Sequence, residues 1–192
     1  RTRTLKDVQQ WGFQRLRGDR TVIQFDAAPP PHARHAQCGC ASTLAFEMSD
    51  GAHRLIVNCG GAAMAGGLVP ARIGQGLRAT AAHSTLVLDD ANSTAIQLHG
   101  KTGKGGELVE LDRSTLQKGG REAVCVEASH DGYAARFGLK HRRALTLGPD
   151  GTEFSGQDLL LPVSRKGKRG KIGLAIRFHL GRSVAAHLSD DE

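Results

Sequence analysis

The fold is read first from GFQRLRGDRTVIQFD, residues 12–26. Phe13 and Leu16 precede a tight Gly18-Asp19 turn, and the run from Thr21 to Phe25 is rich in β-branched and aromatic residues. Such side chains suit a pleated, half-buried surface, and two runs of this kind about a short turn predict a β-hairpin. Pro29, Pro30 and Pro31 then break the sheet and give a rigid, extended linker. Two further strand-like runs, residues 42–48 and 53–58, flank Ser49-Asp50-Gly51-Ala52, a second hairpin signal.

The same punctuation continues to the end of the chain. Residues 59–76 read as a Gly- and Ala-rich loop, in which the glycines weigh against a helix. Strands are expected at residues 83–88, 93–98, 107–111, 123–128, 139–147, 152–161, 173–180 and 183–188. Pro149-Asp150-Gly151 marks a turn, and the basic run 165–171 reads as an exposed loop. No helix longer than three turns is expected and no internal repeat is visible. The predicted fold is all-β, a two-layer antiparallel β-sandwich of roughly ten or more strands with little helix.

Composition narrows the function. A formal net charge of +7 suits a polyanion: nucleic acid, acidic polysaccharide or an anionic membrane surface. With one Trp and one Tyr in 192 residues, the basic residues do not interleave with aromatics, which argues against a stacking platform for nucleic acid. No apolar run approaches the roughly 18 residues that span a bilayer, so membrane insertion is not expected. Four cysteines are too few for a disulfide-built scaffold of this length. Residues 1–7 read as the interior of a charged segment, and no leader is visible, so the chain is expected to be a portion of a longer protein.

Three clusters could carry chemistry. His32, His35, Cys38 and Cys40 place four potential zinc ligands close together, although their spacing matches no structural zinc motif. His83 opens an apolar strand; as a lone histidine it is either a hydrogen-bonded structural residue or a functional one. Ala128-Ser129-His130-Asp131-Gly132-Tyr133 reads as a turn with His130 and Tyr133 at its edges, both able to transfer protons. The competing reading is a hairpin whose Tyr packs on the sandwich edge. Arg136, Arg142 and Arg143 follow.

Together these segments resemble the C-terminal half of the heparinase II/III-like family. The similar stretches are CGCASTLAFEM with LIVNCGG (residues 38–61), TAAHSTLVLDDANST (80–94), EASHDGYAARFGLKHRRALTL (127–147) and IRFHL (176–180). The resemblance implies a lyase that cleaves uronic-acid polysaccharides by β-elimination, in a cleft between an N-terminal α/α toroid and this sandwich. The whole chain, residues 1–192, is then the sandwich domain, the toroid lies outside it, and the partner is an acidic polysaccharide. A periplasmic or secreted location would follow.

In zinc-containing relatives the sandwich supplies an H-x-H segment, an Asp and a final His. Cys38 and Cys40 fall at the H-x-H positions, Asn58 at the Asp and His83 at the final His. The resemblance therefore implies Cys40, Asn58 and His83 as the zinc set, with three of four positions departing from the pattern. It implies His83, His130 and Tyr133 as catalytic, and Arg136, Arg142 and Arg143 as substrate-binding, since a guanidinium forks onto a carboxylate or sulfate. The rival expectation is a carbohydrate-binding sandwich without catalysis.

Overall fold

The first hairpin forms where the alternation places it. β1 (Gly12–Gly18) and β2 (Thr21–Ala27) pair antiparallel. Along β2 the residues Thr21, Ile23, Phe25 and Ala27 are all buried, because successive strand side chains face opposite ways. The structure, a computed structural model, describes residues 12–30, 39–61, 68–97, 101–107, 109–118, 120–163 and 170–188.

The next hairpin is β3 (Phe46–Asp50) and β4 (His53–Val57). A strand was expected from residue 42, but residues 41–45 turn instead. The Leu44 N–H donates to Asp26 O at 2.8 Å, and Leu44 itself has a φ of +65°. Ser42 Oγ donates to the Asp26 carboxylate at 2.7 Å and Thr43 Oγ1 to Ala28 O at 3.1 Å. These bonds to the end of β2 take up the segment's polar groups in place of a regular ladder. A short helix, α1 (Ala71–Gly76), and a 3-10 turn (Thr80–Ala82) follow.

β5 (Leu86–Leu88), β6 (Thr94–Ile96) and β7 (Thr102–Gly105) are short. β8 (Val109–Lys118), β9 (Arg121–His130), β10 (Leu139–Leu147) and β11 (Phe154–Pro162) are the long ones. A one-turn helix, α2 (Ala134–Phe137), caps the corner between β9 and β10. The expected single strand at 173–180 divides into β12 (Leu174–Ile176) and β13 (His179–Leu180), which join different partners. No strand forms at residues 183–188. The expected metal-ligand cluster at His32, His35 and Cys38 lies outside the described residues, as does most of the basic run 165–171.

The two large sheets have the orders β1-β2-β3-β4-β13 and β11-β10-β9-β8, and β5 with β12 and β6 with β7 form two small two-stranded ones. The facing sides of the large sheets meet in a core of Leu16, Ile23, Phe25, Leu44, Phe46, Val126, Leu145 and Leu147. The molecule is an all-β antiparallel sandwich, as the alternation predicts. A second apolar cluster, formed by Leu86, Leu88, Ala91, Tyr133 and Phe137, seats β5 and α2 against the β10–β11 end. The β1–β2 turn also touches the β10–β11 turn: Thr21 Oγ1 donates to Gly151 O at 2.9 Å. A Cβ on Gly151, whose φ is +75°, would meet Gly18 O at 2.4 Å, so glycine is required there.

Candidate functional site

β10 decides what the polar centre of the sandwich is. Its inward face carries Leu145 and Leu147, and the two-residue period sends His141 and Arg143 the same way. Both are fully buried, and β11 runs antiparallel beside them with Asp158 opposite Arg143. Asp158 Oδ1 accepts from His141 Nε2 at 2.6 Å and from Arg143 Nε at 2.8 Å, while Oδ2 accepts from Arg143 Nη2 at 2.9 Å. Arg143 Nη1 donates to Leu44 O at 2.9 Å and to Ser84 O at 2.8 Å. One guanidinium thus ties together the turn before β3, the segment before β5, and the edge strand β11. A desolvated arginine needs this degree of pairing.

The chain of bonds extends to His130 on β9. The Gly132 N–H donates to His130 Nδ1 at 3.0 Å, so that nitrogen carries a lone pair and Nε2 carries the proton. His130 Nε2 faces His141 Nδ1 at 3.3 Å, and His141 Nε2 donates to Asp158. Donors and acceptors therefore run one way, from Gly132 through both imidazoles to the carboxylate, with both rings neutral. Burial drives the pKa of His130 well below the ordinary histidine value, and the neighbouring His141 and the Arg143 charge oppose its protonation further. Burial also lowers that of His141, outweighing its bond to Asp158. Burial opposes the charge on Asp158, but the bonds from His141 and Arg143 prevail and hold its pKa down to about 2. Tyr133 lies beside the His130 ring and donates its hydroxyl to Leu86 O at 2.9 Å, and burial pushes its pKa up.

A second cluster lies where β4 meets the segment before β5. Asn58 Oδ1 accepts the Ser84 N–H at 2.7 Å, and Ser84 Oγ donates to Val57 O at 2.8 Å. With its backbone N–H on Asn58 and its carbonyl on Arg143, Ser84 is held by side chains, which is why the strand expected from residue 83 begins only at Leu86. His83, 3% exposed, donates from Nδ1 to Ala79 O at 2.8 Å, leaving Nε2 as a lone pair. Burial lowers its pKa, opposed by the Ala79 bond; nearby His179 lowers it further and Glu47 raises it.

The sequence candidates therefore divide. Asn58 and His83 are brought to one place. His130, Tyr133 and Arg143 are, like His83, buried and bonded to protein groups. Arg142, on the opposite face of β10 from Arg143, pairs with Glu127 at 3.3 Å, and neighbouring Lys140 pairs with Glu110. That face is thus charge-balanced rather than a basic stripe. Arg136 is exposed, with its guanidinium 5.2 Å over the Phe137 ring. Asp158, Glu47, Ser84 and His179 were not singled out from sequence. Asp158 had a readable signal only in retrospect, as the residue that β-pairing sets across from a buried Arg.

The zinc set implied by the resemblance does not fit this arrangement. Asn58 directs its carbonyl oxygen at the Ser84 N–H and its amide at Phe46 O. Among the described residues no three His, Cys, Asp or Glu side chains gather as a metal group. Cys40 is half-buried.

Two antiparallel sheets closed over an apolar core, with a buried Arg–Asp–His seam at one end, define a β-sandwich module. The chain belongs to the heparinase II/III-like family: the C-terminal domain profile of that family matches residues 1–192. It is similar to "FtsZ-localized protein C" of Caulobacter vibrioides, 29% identical over 202 residues that cover 98% of this chain and 33% of that protein. Among solved structures it is similar to a mutant of the heparan sulfate lyase HepC from Pedobacter heparinus, at 20% identity and a TM-score of 0.48, covering 72% of this chain and 19% of that one. The chain thus spans about a third of the length of the curated relative. Among the described residues no helix is long and apolar enough to cross a membrane.

Proposed function

We propose that this module forms one wall of the cleft of a polysaccharide lyase that cleaves uronic-acid-containing acidic polysaccharide, of the heparan-sulfate or alginate kind, by β-elimination. Family membership over the full length is the observation that carries the reading. The reaction needs the uronate carboxylate neutralised, the C5 proton removed and the leaving oxygen protonated. His83 is suited to proton transfer, since burial keeps its ring neutral and Nε2 retains a lone pair. Exposed Arg136 is suited to a carboxylate or sulfate. The remaining groups come from an α/α toroid in the same longer protein, and the periplasm or cell exterior is where such a polymer would be met.

The test is the full-length protein against heparin, heparan sulfate, hyaluronan and alginate. Unsaturated uronate ends, read by their ultraviolet absorbance, are expected from at least one polymer, with a loss on the order of a hundredfold in His83→Ala. Binding without any such product would overturn the lyase reading. It would favour a sandwich that holds acidic glycan without cleaving it. The bonds that already engage His130, Tyr133 and Arg143 support that second reading.

A further inference from the structure

Cys59 follows β4 and is exposed, apart from the buried histidine seam. Its backbone N–H donates to Ala82 O at 3.0 Å, which fixes it against the 3-10 turn. Its sulfur lies 3.9 Å from Nδ1 of His179, a residue 120 positions away that opens β13. The pairing of β13 with β4, His179 against Val57, brings the two together. The other ring nitrogen, Nε2, is 3.0 Å from Ala81 O. A carbonyl only accepts, so Nε2 carries the proton and Nδ1 turns its lone pair to the thiol. The His179 backbone N–H donates to Ser84 Oγ at 3.0 Å, fixing the strand that carries the ring. Nucleophile, base and a group orienting the base are thus all present.

We propose that Cys59 is a modification site whose thiol exchanges with low-molecular-weight disulfides, His179 taking the proton. The thiol proton passes to His179 Nδ1 as the sulfur attacks one sulfur of the reagent. A new S–S bond forms, the reagent's own S–S bond breaks, and the departing thiolate takes up the proton from His179. The products are a mixed disulfide on Cys59 and one free small thiol, with no outside oxidant required. The 3.9 Å separation is long for a hydrogen bond to sulfur, so the assistance expected is modest, on the order of tenfold rather than the larger factors of a tight pair.

Glutathione disulfide is the probe, and the rate is read by intact mass with peptide mapping on the folded chain. A synthetic peptide of residues 56–61 supplies the same thiol without His179. Cys59 in the folded chain is expected to react on the order of tenfold faster than the peptide at neutral pH. In His179→Gln that advantage should disappear while circular dichroism stays unchanged. Equal rates for the native chain and the peptide would overturn the proposal, and this comparison needs no variant to fold. A His179→Gln chain that folds and reacts at the native rate would overturn it too.

Discussion

In Asp158→Asn the carboxylate that joins His141 to Arg143 becomes a neutral amide. Two of the three bonds it accepts can survive on one oxygen, those from His141 Nε2 and Arg143 Nε, both to Oδ1. The amide nitrogen would then face Arg143 Nη2, donor against donor, at a spacing of 2.9 Å. Arg143, 1% exposed, would keep its charge with no counter-charge. Removing one partner of a buried ion pair costs about 3–5 kcal/mol. The pKa gives an independent figure: a fall from 3.8 to about 2 corresponds to about 2 kcal/mol of native-state stabilisation of the ionised form. The substitution should cost more than this, since the arginine stays behind, so about 3 kcal/mol is expected. For a domain of this size that lowers Tm by roughly 6–12 °C. Urea unfolding at neutral pH, followed by circular dichroism, measures it. Because the folded pKa lies below the unfolded one, the Asp158 contribution is complete above 3.8 and is lost as pH falls toward 2. The gap between wild type and variant should therefore narrow over that acid range. A loss under about 1 kcal/mol at neutral pH, or a gap that does not change with acid, would refute the view that the carboxylate's charge holds this seam together.

Asp26 works in the opposite direction. Burial raises its pKa from 3.8 to about 6, against the lowering bonds from Ser42 and Ala28. Its contribution is thus present below 3.8 and lost as pH rises through 6. Asp26→Asn, whose oxygen keeps the Ala28 bond while its amide donates to Ser42 Oγ in reverse, should stabilise the chain by about 1 kcal/mol at neutral pH, with the gain vanishing in acid; urea midpoints at the two pH values check this. Gly151→Ala places a methyl group 2.4 Å from Gly18 O at a positive φ. It should destabilise by at least about 2 kcal/mol, read as a lower Tm.

Sequence alone was enough for the class of fold. Strand alternation depends on side chains two residues apart, and the turn residues Asp19, Gly51 and Asp150-Gly151 fall between the strands they separate. It was enough for the family as well, because the stretches that carry the resemblance run in order along the chain. The ends of the strands were less legible. Leu44 and Ser84 lie in apolar, strand-like runs, yet Asp26, Asn58 and Arg143, all distant in sequence, take up the hydrogen bonds a ladder would have used.

The roles of the polar residues rested on tertiary structure. The run HRRALTL contains the alternation that sets Arg142 and Arg143 on opposite faces, but it does not say which face is closed. Only the second sheet, packed over Leu145 and Leu147, makes Arg143 and His141 interior groups and leaves Arg142 to pair with Glu127 on the outside. Cys59 meets His179 for the same kind of reason. A strand pairing across 120 residues joins them, and a backbone carbonyl, which no sequence pattern marks, orients the ring. Periodicity is a local property that a sequence displays; burial and partnership depend on what another part of the chain brings up against it.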